Sequence, residues 1–326
     1  MIFSITFKLW GADMFTNKEY ILEVYKEKSF SRAAKNLYVS QPSLSATVKR
    51  IEEKLSAPIF DRSTTPVSLT EIGTQYINAA LEIKKCEENF SNYLNDSFNL
   101  LKGEIKLGGT HLFSSYVIPK MISSFNEKNP HTEFKIAEHH SRTLISLLHE
   151  GSLDLIIDNA EISDENIVAF PYSTEMILLA VPSSLAVNNN LKSQQLSFDD
   201  VKSNIHKSDD CPTVSLDHFK NESFIFLKPE NNTGKKAHLL CKKHNFTPKV
   251  VFELDQQVTS YNITASGIGI SFVSDTLIKN INAPENVVYY KLDDQEISRD
   301  IHFFAKKNKY LTKACRKFIE ENISNE

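Results

Sequence analysis

The twenty residues from Phe30 to Lys49, Phe-Ser-Arg-Ala-Ala-Lys-Asn-Leu-Tyr-Val-Ser-Gln-Pro-Ser-Leu-Ser-Ala-Thr-Val-Lys, constrain this chain more than any other stretch. Their spacing predicts two short helices joined by a tight turn. In the first, Ala33, Ala34 and Leu37 form an apolar stripe, and the paired alanines let a neighbouring helix approach closely. Ser40 is suited to cap the second, because its hydroxyl can accept from an otherwise unpaired backbone N–H, and Pro42 is tolerated in a first turn. Leu44, Val48, Ile51 and Leu55 recur at helical spacing and would bury the inner face. Gln41, Ser43, Thr47 and Arg50 are left outward. Short polar side chains on the first turns of a second helix are what helix-turn-helix readout of a DNA major groove requires. Periodicity alone fits an ordinary helical hairpin equally well.

The residue identities go further. Ser29-Phe30-Ser31-Arg32-Ala33-Ala34, then Val39-Ser40-Gln41-Pro42-Ser43-Leu44-Ser45, resembles the LysR-type transcriptional regulators. So do Arg50-Ile51-Glu52-Glu53-Lys54-Leu55, Ile59-Phe60-Asp61-Arg62 and Leu69-Thr70-Glu71-Ile72-Gly73, and weaker similarity runs to Lys307. The resemblance implies an α/β chain: an N-terminal winged helix-turn-helix, a long linker helix and a two-lobed effector domain like the type 2 periplasmic binding proteins. It implies contacts to double-stranded promoter DNA from Ser31, Arg32, Gln41, Pro42, Ser43, Ser45, Thr47, Arg50 and Arg62. The implied partners are a small-molecule effector, further copies of the chain as a dimer or dimer of dimers, and RNA polymerase. Two departures stand out. Many relatives carry basic residues in the wing, where this chain has Thr64, Thr65 and Pro66, so fewer phosphate contacts and a shallower salt dependence are expected. Where many have arginine after the Leu-Ser pair, this chain has Ala46, which can touch a thymine methyl but cannot fork onto guanine.

A net charge of −4 looks wrong for a DNA binder until the chain is divided. Met14 to Thr70 holds nine Lys/Arg against six Asp/Glu, whereas residues 71–326 carry a net −7. Positive charge is thus concentrated where phosphate would be met. The surplus is small, so affinity is expected to come from two modules acting together. Four scattered cysteines, Cys86, Cys211, Cys241 and Cys315, lack metal-ligand spacing and suit a reduced cytoplasm. No apolar run approaches a membrane span. No hydrolase elbow, phosphate-cradling loop or His-Glu-x-x-His pair is present, so no enzyme, cofactor or metal is expected. Two other readings stay open: a solute-binding protein whose N-terminal helices only dimerise, and a redox-responsive regulator.

Residues 1–13 read as an extension, with Met14 the expected start, followed by a DNA-binding domain over 14–72. A first helix over 15–28 would bury Ile21, Leu22, Val24 and Tyr25. Asp61 to Leu69 reads as a two-stranded wing. Ile72, Tyr76, Ala79, Ile83, Cys86, Phe90 and Tyr93 then recur at alternating spacings of four and three, a heptad seam predicting a helix to about Phe98. The resemblance makes residues 73–102 a linker helix that pairs with its twin through Ile72, Tyr76, Ala79, Ile83, Cys86 and Phe90, with Cys86 a small apolar filler.

Beyond Gly103 helices alternate with strands, predicting a mostly parallel sheet over 103–326. One lobe is expected over about 103–175 and 274–326, the other over about 176–273. The polar stretch 187–220 reads as a surface insertion. Ligands in open α/β sheets bind beyond the carboxyl ends of strands, near helix N-termini. That points to Thr110 and His111, to His139, His140 and Ser141, to Asn159, and to Thr233 from the other lobe, with Ser271 and Phe272 on a returning strand. Thr110, Ser141 and Thr233 also match positions where the family often places donors to its effector. Two helix N-termini facing one cleft favour a carboxylate, such as an amino acid or small keto acid.

Overall fold

A computed structural model describes residues 12–97 and 103–323. The remaining residues, including the expected extension up to Gly11 and the end of the linker at Phe98, lie outside the described range. The chain divides into two units, residues 1–92 and 93–326.

In the first unit a 3₁₀ turn, Ala12–Phe15, precedes α1 (Lys18–Glu27), α2 (Phe30–Asn36) and α3 (Gln41–Leu55). The strands β1 (Phe60–Asp61) and β2 (Ser68–Leu69) form the antiparallel wing, and α4 (Glu71–Ser97) follows. Ile21, Val24, Ala33, Ala34, Leu44, Val48, Ile51 and Ile59 make one core. Tyr25 corrects the expected inner face of α1, being exposed there. Four residues of α4, Gly73, Tyr76, Ile77 and Ala80, are buried in this unit, so its packing extends past the expected boundary at 72. Tyr76 therefore departs from the expected pairing seam: its ring stacks on Phe15 and its hydroxyl donates to the Met14 carbonyl at 2.8 Å. Cys86 is exposed in the single chain. Ile72 and Phe90 stand 50 % and 62 % exposed, so α4 keeps an apolar outer side. Among the described residues, no helix is long and apolar enough to cross a membrane.

The second unit begins with β3 (Glu104–Gly109), a π-helical turn at Phe113–Val117, α5 (Ile118–Lys128), β4 (Glu133–Glu138), α6 (Ser141–Glu150) and β5 (Leu155–Asp158). The sixteen-residue β6 (Ile167–Pro182) then crosses into the second lobe. There follow α7 (Phe198–Lys202), β7 (Thr213–Val214), β8 (Ser223–Leu227), α8 (Asn232–Lys243), β9 (Lys249–Leu254), α9 (Gln257–Ala265), β10 (Ile270–Ser274), α10 (Asp275–Asn280) and β11 (Val287–Leu292). The chain returns through β12 (Ser298–Lys306) and closes with α11 (Lys313–Ile323).

The strand order β4-β3-β5-β12-β6-β10-β8-β9 is continuous because β6 belongs to both lobes. The steps β4-β3-β5 and β10-β8-β9 are parallel, and β12 runs antiparallel between β5 and β6. Leu155, Ile156 and Ile157 are wholly buried, as a strand covered by helices on both faces must be. On one face of the first lobe, Phe125 of α5 and Phe318 of α11 pack at 5.3 Å, while Leu144 and Leu148 of α6 cover the other.

Two expected boundaries change. β11 pairs with β6 and β7, and Leu277 and Ile278 of α10 pack in the second lobe. The second lobe thus reaches to about Ile297, not 273, and only β12 and α11 return. The stretch 187–220 is not merely superficial, since Leu191, Leu196, Val201, Val214, Leu216 and Phe219 are buried. His206 within it is wholly buried, and its Nε2 meets Asp275 at 2.8 Å. Burial alone would push the Asp275 carboxyl up, but His206, Lys279 and the Met176 N–H together bring it down to about 2.

Gly73 sits where a Cβ would meet the Ile59 carbonyl oxygen at 2.0 Å, a backbone atom that cannot swing aside. Gly73→Ala is expected to lower the stability of the first unit by at least about 2 kcal/mol. Gly267→Ala, where φ is +86° but the space is open, should cost about 1 kcal/mol. Urea unfolding of both variants followed by circular dichroism checks the difference.

Candidate functional site

The DNA-facing candidate is built by two serine caps. Ser29 Oγ accepts from the Arg32 N–H at 3.4 Å and Ser40 Oγ from the Ser43 N–H at 3.3 Å, starting α2 and α3 where the sequence predicts. The turn between them places Tyr38 at φ 54° with its side chain 96 % exposed, a residue the sequence reading missed. Ser31, Arg32, Gln41, Pro42, Ser43 and Arg50 are exposed, whereas Ser45 and Thr47 are half-buried. Thr47 Oγ1 donates to the Ser43 carbonyl at 3.0 Å, back-bonding within α3. Arg32 lies 3.4 Å from the Glu27 carboxylate.

Arg62 is held more firmly than expected of a surface phosphate contact. Its guanidinium donates to Glu52 Oε2 at 3.0 Å and Ser45 Oγ at 3.3 Å, and lies 4.8 Å over the Phe30 ring. The other Glu52 oxygen accepts the Ile59 and Phe60 N–H groups at 2.8 and 3.2 Å. One carboxylate therefore fixes both the entry to the wing and its arginine.

The second site is a cavity of about 230 Å³ between the lobes of the second unit. It lies beyond the carboxyl ends of β3, β4, β5, β8 and β9, where open sheets bind ligands. Thr110, His111, Ser141, Asn159 and Thr233 all line it, with His139, His140 and Glu138 from the first lobe and Glu230, Asn231, Asn232 and Gln257 from the second. Phe272 does not. It is buried in the second lobe beside Phe224 and Phe226, and Ser271 behind it accepts from Thr264 Oγ1 at 2.8 Å.

Three helices begin at this cavity. Asn231 caps α8 by accepting the Thr233 N–H at 2.9 Å. The residues preceding α6 and α9, His140 and Gln256, make no side-chain cap, and neither helix has an acidic residue in its first turn. Those first-turn N–H groups are an anion-binding feature. His111 is committed to Glu138, 3.0 Å away. Among the described residues, no three His, Cys, Asp or Glu side chains converge as a metal site would need.

Behind the cavity runs a buried polar network that joins the expected Ser141, Asn159 and Thr233 to residues the sequence reading missed, Glu175, Asn232, Gln257 and Arg299. Arg299 on β12 and Glu175 on β6 face each other in register, with Nε to Oε1 at 2.7 Å. Glu175 Oε1 also accepts from Asn159 Nδ2 at 2.6 Å, and Arg299 Nη2 donates to Thr233 Oγ1 at 2.8 Å. Gln257 Nε2 donates to the same Thr233 oxygen at 2.8 Å. Asn232 Nδ2 reaches across to Ser141, Asp158 and Asn159. Burial pushes the Asp158 carboxyl up, against the Ser141 hydroxyl, the Asn159 and Ala160 N–H groups and the charge of Arg299. The pairing of Glu175 with Arg299 spans 124 positions, so no local pattern in the sequence marked it.

Comparisons with known proteins match both units of the chain. A family model described as a bacterial regulatory helix-turn-helix protein of the lysR family matches residues 16–74, and one described as the LysR substrate binding domain matches 99–322. The uncharacterized regulator YcgK of Bacillus subtilis is 26% identical over 307 residues, covering 93% of this chain and 91% of that protein. A probable RuBisCO transcriptional regulator from Gracilaria tenuistipitata is 25% identical, covering 92% of this chain and 93% of that one. In fold, a full-length OxyR variant from Pseudomonas aeruginosa superposes with a TM-score of 0.69 at 20% identity, over 95% of this chain and 94% of its own. CbnR in complex with its target DNA gives a TM-score of 0.60 at 16% identity, over 95% and 99%. With a DNA-reading unit and a ligand-binding unit matched in the same order along its length, the chain belongs to the LysR family of DNA-binding transcriptional regulators, whose promoter binding a small-molecule effector modulates.

Proposed function

We propose that α3 reads an operator in the major groove while the wing lies along the phosphates, and that the interlobe cavity takes an effector bearing a carboxylate. The observation that carries the DNA half is the exposed polar face of Gln41, Ser43 and Arg50 on a helix whose other side is fully packed. Direct readout assigns Gln41 and Ser43 to base edges and Arg62 to phosphate. The uncapped starts of α6 and α9 support a carboxylate at the cavity. Two copies pair through the apolar side of α4 left open in the single chain, and a dimer of dimers sets four reading heads on a promoter. In this reading the protein works in the cytoplasm as a regulator, not as an enzyme, with RNA polymerase the implied downstream partner. An effector changes promoter binding only if it binds one arrangement of the lobes better than the other.

A redox-responsive reading is less well supported. Cys211 and Cys241 are buried in separate clusters, and burial pushes the Cys241 thiol up to about 12, away from the reactive thiolate.

Gln41→Ala and Ser43→Ala should each reduce discrimination between operator and random DNA by about 1–3 kcal/mol. Arg62→Ala should weaken both together, with a shallower salt slope. Competition gel shifts against the chain's own promoter region test this; equal loss for all three variants would contradict the division of roles. Phe90→Glu places a charge on the proposed pairing side of α4, and sedimentation velocity should then show a shift toward monomer. An unchanged assembly would remove α4 from the interface.

A further inference from the structure

At the wall of the cavity, which Ser141, Asn159 and Asn232 line, three acceptors converge on one donor. Ser141 Oγ, Asp158 Oδ1 and Asn159 Oδ1 belong to the first lobe and surround one nitrogen of the second, Asn232 Nδ2, at 3.3, 3.2 and 2.9 Å. A primary amide carries two N–H bonds, so three acceptors share two hydrogens. Asp158 is wholly buried, and its other oxygen, Oδ2, has no hydrogen-bond partner. The cation in its field, Arg299, is already engaged by Glu175 and Thr233. Asp158 Oδ1 also accepts the Asn159 and Ala160 N–H groups at 2.7 and 3.2 Å; an ammonium group in place of the Asn232 amide would bring three N–H bonds to the three acceptors and a positive charge to the buried carboxyl.

The rest of the lining points the same way. Among the described residues, no lysine or arginine lines the cavity, while Glu138 and Glu230 do. A simple anion would gain the helix starts but meet two carboxylates and no fixed cation. A zwitterion takes the helix starts without adding net charge. Ser141 belongs to the acceptor set and is also the first residue of α6, so an ammonium and a carboxylate bound here would sit close together. The volume of about 230 Å³ restricts the ligand to a small molecule.

We propose that the effector is a small α-amino acid whose ammonium group displaces the Asn232 amide from Ser141, Asp158 and Asn159, while its carboxylate takes the uncapped starts of α6 and α9. This rests on the cavity being the effector site. Binding then exchanges a lobe-to-lobe hydrogen bond for lobe-to-ligand ones, which gives the ligand different affinities for two lobe arrangements.

Calorimetry on the full-length protein tests it, with the protein L-amino acids each run beside its des-amino acid, such as propanoate for L-alanine and glutarate for L-glutamate. At least one amino acid should bind, with its des-amino partner at least about tenfold weaker. Asp158→Asn and Asn159→Ala should shrink that preference. Asn232→Ala, which removes the competing amide, should tighten binding several-fold, an effect that loss of a merely structural contact would not produce. Equal binding of the des-amino acids, no binding by any amino acid, or weaker binding by Asn232→Ala would each overturn the proposal. Retained operator discrimination in the same preparation would leave the regulator reading standing, whereas its loss in the unmodified protein would strike that reading instead.

Discussion

A carboxylate and a guanidinium buried at the same level of neighbouring strands cannot be parted without leaving an uncompensated charge in the interior. Glu175 and Arg299 are such a pair, on the two strands that carry the chain between the lobes. The surroundings of the pair link it to the cavity: Asn159 reports from the end of β5, and Thr233 from the start of α8. Thr233 Oγ1 accepts from both Arg299 and Gln257, so its remaining capacity is to donate. The crossing strands thus fix the polarity of a hydroxyl that lines the cavity. Thr233 and Asn159, both at the cavity, bond directly to the pair on the crossing strands.

The DNA-reading unit is organised by a comparable economy of polar groups. Glu52 spends one oxygen on the two N–H groups at Ile59 and Phe60 and the other on Arg62. The register of the wing relative to α3 is set by that side chain, with Gly73 allowing α4 to press against the Ile59 carbonyl. Both devices are local, which is why so few residues suffice to hold the reading face.

Much of this was legible in the sequence, and the failures have physical reasons. Ser40 and Pro42 mark the start of α3 because capping chemistry is local. The alternation of strands with helices expected beyond Gly103 is met in β8, α8, β9 and α9. Phe272 was misplaced because every residue of β10 is buried, so alternation along that strand distinguishes no cavity-facing side. Tyr76 satisfies a heptad seam and an inward helical stripe at once, and only packing decides between them. The stretch 187–220 concealed its role because single apolar anchors such as Leu191, Leu196 and Val201 are dispersed among polar residues. Of the cavity, the lining hydroxyls and histidines were readable at strand ends. Asn232, Gln257 and Arg299 were not, since their part depends on contacts between separate elements, from 24 to 124 positions apart.

The position of β12 has a consequence for how the molecule comes into being. It is inserted between β5 and β6 and supplies Ile301, Phe303 and Ala305 to the interior of the first lobe. That sheet therefore lacks an inner member until the ribosome has passed Lys306, whereas the interior of the DNA-reading unit is complete at Ala80. Since domains generally fold in order of synthesis, the nascent chain acquires its reading head long before its sensor, and β5 and β6 wait unjoined for a partner made almost last.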